Sequence, residues 1–319
     1  LWNEHKYGKA VADYYSEYSR NGYFAEAQNK QLPLIRYYYN NRDEMFDAHS
    51  YNKGGQILHM LRKYVGDEAF FASLKKYLHD NKYSAVEIHN LRLAFEQVTG
   101  EDLNWFFNQW FLSSGHPNLR IANAYDAATG KLKLNIRQIQ DTTTTPVFKI
   151  PLVVDVYTEK EKVSHKIMIT QTNQSFEFNT GSKPLLVNVD AEKMLLCEKE
   201  EQKTVSEWVY QYNHAPLYLD KKEALYNLLN QVQDTTVAPV IIKALGDKMW
   251  SLRLFAISEL KKVAKGNELT IKKNLVTMAV EDSIAQVREA ALRYLAQNYT
   301  DKDLYDVYKY ALNDSSYAV

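Results

Sequence analysis

The sequence has 319 residues, 45% of them hydrophobic, which is enough chain for two or three cores of ordinary domain size. Lys plus Arg and Asp plus Glu each number 39, and no basic stripe is present, so no overall field draws the chain to nucleic acid or to an anionic membrane. The single cysteine, Cys197, excludes an intrachain disulfide but leaves the compartment open between cytoplasmic and periplasmic or secreted. The sequence shows no signal peptide and no membrane-length apolar run. Leu1 is not an initiator methionine and reads as lying inside a helix, while Val319 falls inside a repeating unit, so a piece of a longer polypeptide is expected.

Residues 1–115 read as helical. Val11, Tyr14, Tyr15 and Tyr18 form an amphipathic segment that Asn21-Gly22 is expected to break. Pro33, Asn40-Asn41 and Arg42-Asp43-Glu44 mark an irregular approach to Tyr51, as in segments that shape a cleft. After Tyr51-Asn52-Lys53-Gly54-Gly55, apolar residues at Ile57, Leu58, Leu61, Tyr64 and Val65 follow the 3.6-residue period of a helix, which Gly66 ends. Asp67 is then placed to accept from the open amides of a second helix with a buried stripe of Phe70, Phe71, Leu74, Tyr77 and Leu78. Ser84 and Glu87 read as a capping box before Ile88, Leu91, Ala94, Phe95 and Val98, and Gly100 closes that helix. The helix begun by Asp102 must bury Leu103, Phe106, Phe107, Trp110 and Phe111.

The period changes after Gly115-His116-Pro117. Leu132, Leu134 and Ile136 alternate, as do Val163, His165, Ile167 and Ile169, and Phe148, Ile150, Leu152 and Val154 mark a further strand. With turns at Thr129-Gly130, Asn173-Gln174 and Thr180-Gly181, residues 119–198 read as an antiparallel sandwich of six or seven strands, with a partly open barrel as the alternative. From about Ser206 the helical period returns with internal repetition: Ala244-Leu-Gly-Asp247 recurs as Ala279-Val-Glu-Asp282 and Ala311-Leu-Asn-Asp314, at spacings of 35 and 32 residues. Arg253 and Arg288 each follow their aspartate by six residues, and an earlier, degenerate unit centres on Ala224 and Leu228. Such repetition is the mark of a helical solenoid of HEAT-like hairpins, with Asp247, Arg253, Asp282 and Arg288 as a structural ladder of charge-assisted hydrogen bonds. The expected domains are 1–117, 118–199 and 200–319.

Several of these residues, in this order, resemble the aminopeptidase N family of gluzincin zinc metallopeptidases, which includes membrane alanyl aminopeptidase and leukotriene hydrolase. The resemblance rests on Tyr51 followed by x-Lys53-Gly54, on Gly66, on Phe70-Phe71, on Phe106-Phe107-Asn108-Gln109-Trp110 and on Gly115-His116-Pro117-Asn118-Leu119. Leu1-Trp2-Asn3-Glu4-His5-Lys6-Tyr7-Gly8 is similar to the segment that follows the family's third zinc ligand. It implies a multidomain α and β chain: the helical half of a thermolysin-like catalytic domain, a β-sandwich and a HEAT-like superstructure.

The resemblance also implies a zinc-dependent aminopeptidase acting on peptide substrates, with Tyr51 as the catalytic residue that donates a hydrogen bond to the oxyanion of the tetrahedral intermediate. A phenol suits that task, because its reference pKa of about 10 keeps the proton in place at neutral pH. Among 24 tyrosines, context alone distinguishes Tyr51; without it, a packing or surface role is the ordinary reading. Lys53 and Gly54 read as shaping the helix start rather than as touching substrate. No His-Glu-x-x-His is present among the eight histidines, and His49, His59, His79 and His89 read as surface or half-buried side chains, so no zinc ligand is assigned. In the family, the zinc ligands and the strand that grips the substrate's amino terminus lie upstream of Leu1, so the missing amino-terminal half of the same polypeptide is expected to carry them, and the fragment alone is expected to be inactive. Substrate-binding residues are not assigned. The competing reading is a non-catalytic scaffold or peptide-binding protein, with a degenerate peptidase half and a solenoid interaction surface.

Overall fold

The computed structural model describes residues 1–300, 302–316 and 319, in two compact units: Tyr15–Lys203, and Leu1–Tyr14 together with Thr204–Val319. The fold is mixed, with both helices and sheets. In the amino-terminal part the helices are α1 (Trp2–Tyr7), α2 (Lys9–Ala27), α3 (Gly54–Val65), α4 (Asp67–Asp80), α5 (Ile88–Thr99) and α6 (Asn104–Phe107), the last continued by a π-helical turn, Asn108–Leu112.

Within Tyr15–Lys203 the apolar period is obeyed most closely where every face is covered. Leu103, Phe106, Phe107, Trp110 and Phe111 are all buried, and so are Ile57 and Leu61 of α3. Helix α4 departs from expectation: Phe70 is buried, but Phe71 and Leu78 are exposed and Ser73 lies inside instead. The serine is tolerated there because its hydroxyl donates to the Ala69 carbonyl one turn back, at 2.7 Å. Asp67 does not cap α4; its carboxylate takes both Nε and Nη2 of Arg62 at 2.7 Å. Helix α5 starts later than Ser84 implied, and the Asn90 side chain accepts from the Glu87 amide at 2.8 Å.

Asn21-Gly22 does not break the first helix, and α2 runs through both residues. The glycine serves close approach rather than termination. A Cβ at Gly22 would stand 2.6 Å from Asn52 Nδ2, and that nitrogen donates to the Ser19 carbonyl at 2.9 Å.

Seven strands follow: β1 (Asn118–Asp126), β2 (Lys131–Gln138), β3 (Ile150–Tyr157), β4 (Lys162–Ile169), β5 (Asn173–Asn179), β6 (Leu186–Val189) and β7 (Glu198–Glu201). They form a four-stranded sheet of order β5-β2-β1-β7 and a three-stranded sheet of order β4-β3-β6. All pairs are antiparallel except β1 with β7, which run parallel, contrary to a wholly antiparallel arrangement. Asn173-Gln174 opens β5 instead of forming a turn. Leu132, Leu134 and Ile136 of β2 and Ile150, Leu152 and Val154 of β3 are buried in the same core as Phe106, Phe107 and Trp110. The helices and both sheets of this unit therefore share one apolar interior, to which Cys197 also belongs.

The other unit contains α7 (Val205–His214), α8 (Tyr218–Leu228), α9 (Val237–Lys243), α10 (Trp250–Glu259), α11 (Glu268–Glu281), α12 (Ala285–Asn298) and α13 (Tyr305–Ala311). Each repeat aspartate caps its own loop, and Asp282 and Asp314 each also receive an arginine from the repeat before. Asp282 accepts the Ile284 amide at 2.9 Å and both Nε and Nη2 of Arg253 at 2.7 Å. Asp314 accepts the Ser316 amide at 2.8 Å and both Nε and Nη2 of Arg288 at 2.7 Å. Each guanidinium also donates to a backbone carbonyl at 2.8 Å, Arg253 to Asp247 and Arg288 to Asp282. In the earliest repeat Lys221 takes the arginine's place and reaches Asp247 at 2.7 Å. Arg253→Met should destabilise this unit by roughly 1.5–3 kcal/mol, the range for losing hydrogen bonds to a charged group. Denaturant unfolding followed at Trp250 would read the shift.

A candidate active-site turn around Tyr51

Before α3 the chain makes a π-helical turn, His49–Lys53, of the kind that recurs at functional sites. His49 and Lys53 are four residues apart and so share a face; both are 0% exposed. Tyr51, two residues from each, projects to the opposite side and is 62% exposed. Its ring stands 6.2 Å from that of Phe46, itself 72% exposed, and its hydroxyl makes no hydrogen bond among the described residues.

The turn is held from several directions. From α2, Glu26 accepts the His49 amide at 3.1 Å and His49 Nδ1 at 2.7 Å, while Ser19 and Ser16 bond Asn52 and Gln56. From the irregular segment, Asp47 caps the turn by accepting the Ser50 amide at 2.8 Å. The same carboxylate binds Arg36 at 2.8 Å and Lys30. Arg36 also reaches Ser50 Oγ at 3.1 Å. Burial works to raise the Asp47 carboxyl, but the hydrogen bonds from Arg36, Lys30 and Ser50 outweigh it and hold the group well below the usual carboxylate range.

Behind the turn lies a buried polar cluster. Lys53 Nζ donates to the Gly115 carbonyl at 2.9 Å and stands 5.6 Å from the centre of the Tyr23 ring. The Tyr23 hydroxyl lies 3.3 Å from the same carbonyl and 3.0 Å from His116 Nδ1, and His116 Nε2 is 3.5 Å from Glu198. Burial lowers both His49 and His116 below the usual imidazole range, so both are neutral at pH 7. Burial, with the charges of Glu198 and Glu26, raises the Tyr23 phenol.

Two expectations change here. His49 is fully buried, not a surface or half-buried side chain, because Glu26 satisfies both its amide and its ring. Lys53 reaches from the turn to the end of the helical segment instead of acting only at the start of α3. Tyr23, Asp47 and His116 carry much of the geometry, and sequence reading passed them over. Tyr23 and His116 are 93 residues apart, so no local pattern joins them.

Glu26, Asp47 and His49 bring ligand-type atoms within 4.8 Å of one another, as the ligands of a zinc site would be. They do not fit one. His49 Nδ1 and Glu26 are engaged with each other, and the Leu32 amide faces His49 Nε2. The Asp47 charge is already balanced by two cations. The cluster is a brace for the turn.

With this geometry in place, comparison with known proteins adds the class. Residues 5–110 match the peptidase family M1 domain. The chain is 29% identical over 143 residues to aminopeptidase N of Haemophilus influenzae, covering 40% of this chain and 16% of that protein. It is 39% identical over 75 residues to aminopeptidase M1 of Arabidopsis thaliana, covering 24% of this chain and 8% of that one. The crystal structure of Legionella pneumophila aminopeptidase A in complex with aspartic acid superposes with a TM-score of 0.71 at 15% identity, over 96% of this chain and 41% of that one, a likeness of fold. Residues 5–110 therefore resemble the M1 peptidase domain of aminopeptidase N relatives. The chain spans less than a fifth of the length of the curated relatives it matches.

Asp47→Asn tests the brace. Because the folded-state carboxyl is depressed, its contribution to stability is complete above the unfolded value of about 4 and is lost as pH falls below it. Chemical denaturation across that window should show Asp47→Asn less stable than the parent at pH 7, with the difference shrinking toward pH 2.

Proposed function

We propose that this chain supplies the transition-state hydrogen-bond donor of a zinc-dependent aminopeptidase that removes amino-terminal residues from peptides. The observation that carries the reading is the stance of Tyr51: a phenol with an unengaged hydroxyl, presented outward from a turn whose neighbouring side chains are buried and braced. It lies inside the segment that matches the M1 domain. Zinc, when bound by the full-length protein, would supply Lewis-acid polarisation of the scissile carbonyl. The resemblance places its ligands upstream of Leu1, and Glu26, Asp47 and His49, already engaged with one another and with Arg36 and Lys30, are not taken as that site.

The role of this chain's own residues follows from electrostatic preorganisation. An oxyanion is stabilised most by a donor that is already aimed and does not reorganise as charge develops. The Tyr51 hydroxyl is such a donor, because the backbone on either side of it is fixed by His49, Lys53 and Asp47. Phe46 stands beside the phenol and contributes apolar surface to the same face. The two sheets are read as a β-sandwich and the repeats of α8 to α13 as a HEAT-like superstructure, with boundaries near residues 117 and 199.

Two measurements test the proposal. In the full-length protein, Tyr51→Phe should lower kcat by about 10² to 10³, the typical effect of removing one oxyanion donor, with KM little changed. Residues 1–319 alone, incubated with zinc and an aminoacyl p-nitroanilide, should show no turnover and no tight stoichiometric zinc. Wild-type kcat in Tyr51→Phe would remove Tyr51 from the chemistry, whereas a full-length protein with no turnover at all would leave the non-catalytic scaffold as the better account.

A further inference from the structure

Lys53 is fully buried, yet among the described residues no carboxylate pairs with its ammonium. Its neighbours are the Gly115 carbonyl and the face of Tyr23. The titratable groups around it are Tyr23 and Glu26 from α2, His49 from its own turn, and His116 with Glu198 from the exit segment and β7. Burial pushes the ammonium down to about 8. Taking a charge out of water without a counter-ion works against folding, so ordinary stability does not account for a lysine here.

The Gly115 carbonyl does not depend on the lysine to be satisfied, since the Tyr23 hydroxyl reaches the same oxygen. What Lys53 adds is a tie between two pieces of chain 62 residues apart. The acceptor end of that tie is rigid. Gly115 has φ +77°, where a side chain is strained, and a Cβ there would fall 2.3 Å from Thr145 Oγ1. The donor end is the last residue of the turn that carries Tyr51, two positions away.

The geometry points to Lys53 as a positioning residue for Tyr51: its ammonium fastens the carboxyl end of the π-helical turn to the Gly115 carbonyl and thereby sets where the phenol stands. This rests on the reading of Tyr51 as the oxyanion donor. The burial that disfavours the charge is also what strengthens a charge-assisted hydrogen bond to a fixed carbonyl.

The test is a double-mutant cycle in the full-length, zinc-loaded protein, with thermal unfolding measured on every variant. Lys53→Met should lower kcat by about tenfold or more, leave KM within about twofold, and leave the unfolding midpoint unchanged or raised. In a Tyr51→Phe background the same change should lower kcat by less than about twofold, because the lysine acts through the phenol. Lys53→Gln, which keeps a donor for the carbonyl, should recover part of the lost kcat, and it carries the cycle if Lys53→Met does not fold. Loss of activity in step with loss of stability overturns the proposal, as does an equal kcat penalty with and without the Tyr51 hydroxyl. If Tyr51→Phe is impaired while Lys53→Met is fully active, the Lys53 proposal falls alone. If Tyr51→Phe is fully active, the reading of Tyr51 falls and takes the Lys53 proposal with it.

Discussion

Burial of His49 and Lys53 on one face of a single turn is the constraint from which the site follows. Side chains four apart on a helical turn point the same way, and the residue midway between them points roughly opposite. Because the protein buries the first and last residues of His49–Lys53, it has no choice but to present Tyr51 outward. The two anchors are held differently. His49 is neutral and satisfied by Glu26 through both ring and amide, whereas Lys53 brings a charge inside and meets it with a carbonyl and an aromatic face.

Helix α2 is the template for that turn. Ser16, Ser19, Tyr23 and Glu26 recur at spacings of three or four, with Gly22 beside Tyr23, which makes one continuous stripe. Along it, Ser16 bonds Gln56, Ser19 takes Asn52, Gly22 leaves room for Asn52, Tyr23 lies against Lys53, and Glu26 holds His49. Most of these residues are small or polar. A hydrophobic period therefore misses the stripe, and a glycine within it looks like a helix stop although α2 continues past it.

This explains what was legible in the sequence. Strand β2 and the helix bearing Phe106 and Trp110 could be read because their partners cover them evenly, so that burial follows the period of the element. The Arg253–Asp282 and Arg288–Asp314 pairs could be read because repetition displays the same contact twice. Tyr51 was singled out in the sequence through its motif, and the structure exposes it. Its supports were not legible, since Tyr23 with His116 and Lys53 with Gly115 join positions 93 and 62 residues apart, each occurring once. Phe71 and Leu78 went wrong for the opposite reason: α4 has an apolar stripe wider than the surface that covers it.

Most of the bonds that fix the turn have a backbone atom at one end instead of joining two flexible side chains. Asn52 ends on the Ser19 carbonyl, Lys53 on the Gly115 carbonyl, and the carboxylates of Glu26 and Asp47 take the amides of His49 and Ser50. A backbone partner has no rotamer to lose, so each of these bonds transmits the position of a whole segment rather than of one side chain. Asp47 is tied in turn to Lys30 and Arg36, which extends the same restraint into the irregular chain before the turn. Three separate stretches, α2, residues 30–47 and the exit at Gly115, thus converge on five residues. The backbone that carries Tyr51 is thus restrained from three directions, which is what the proposed role of its phenol as a pre-placed donor requires.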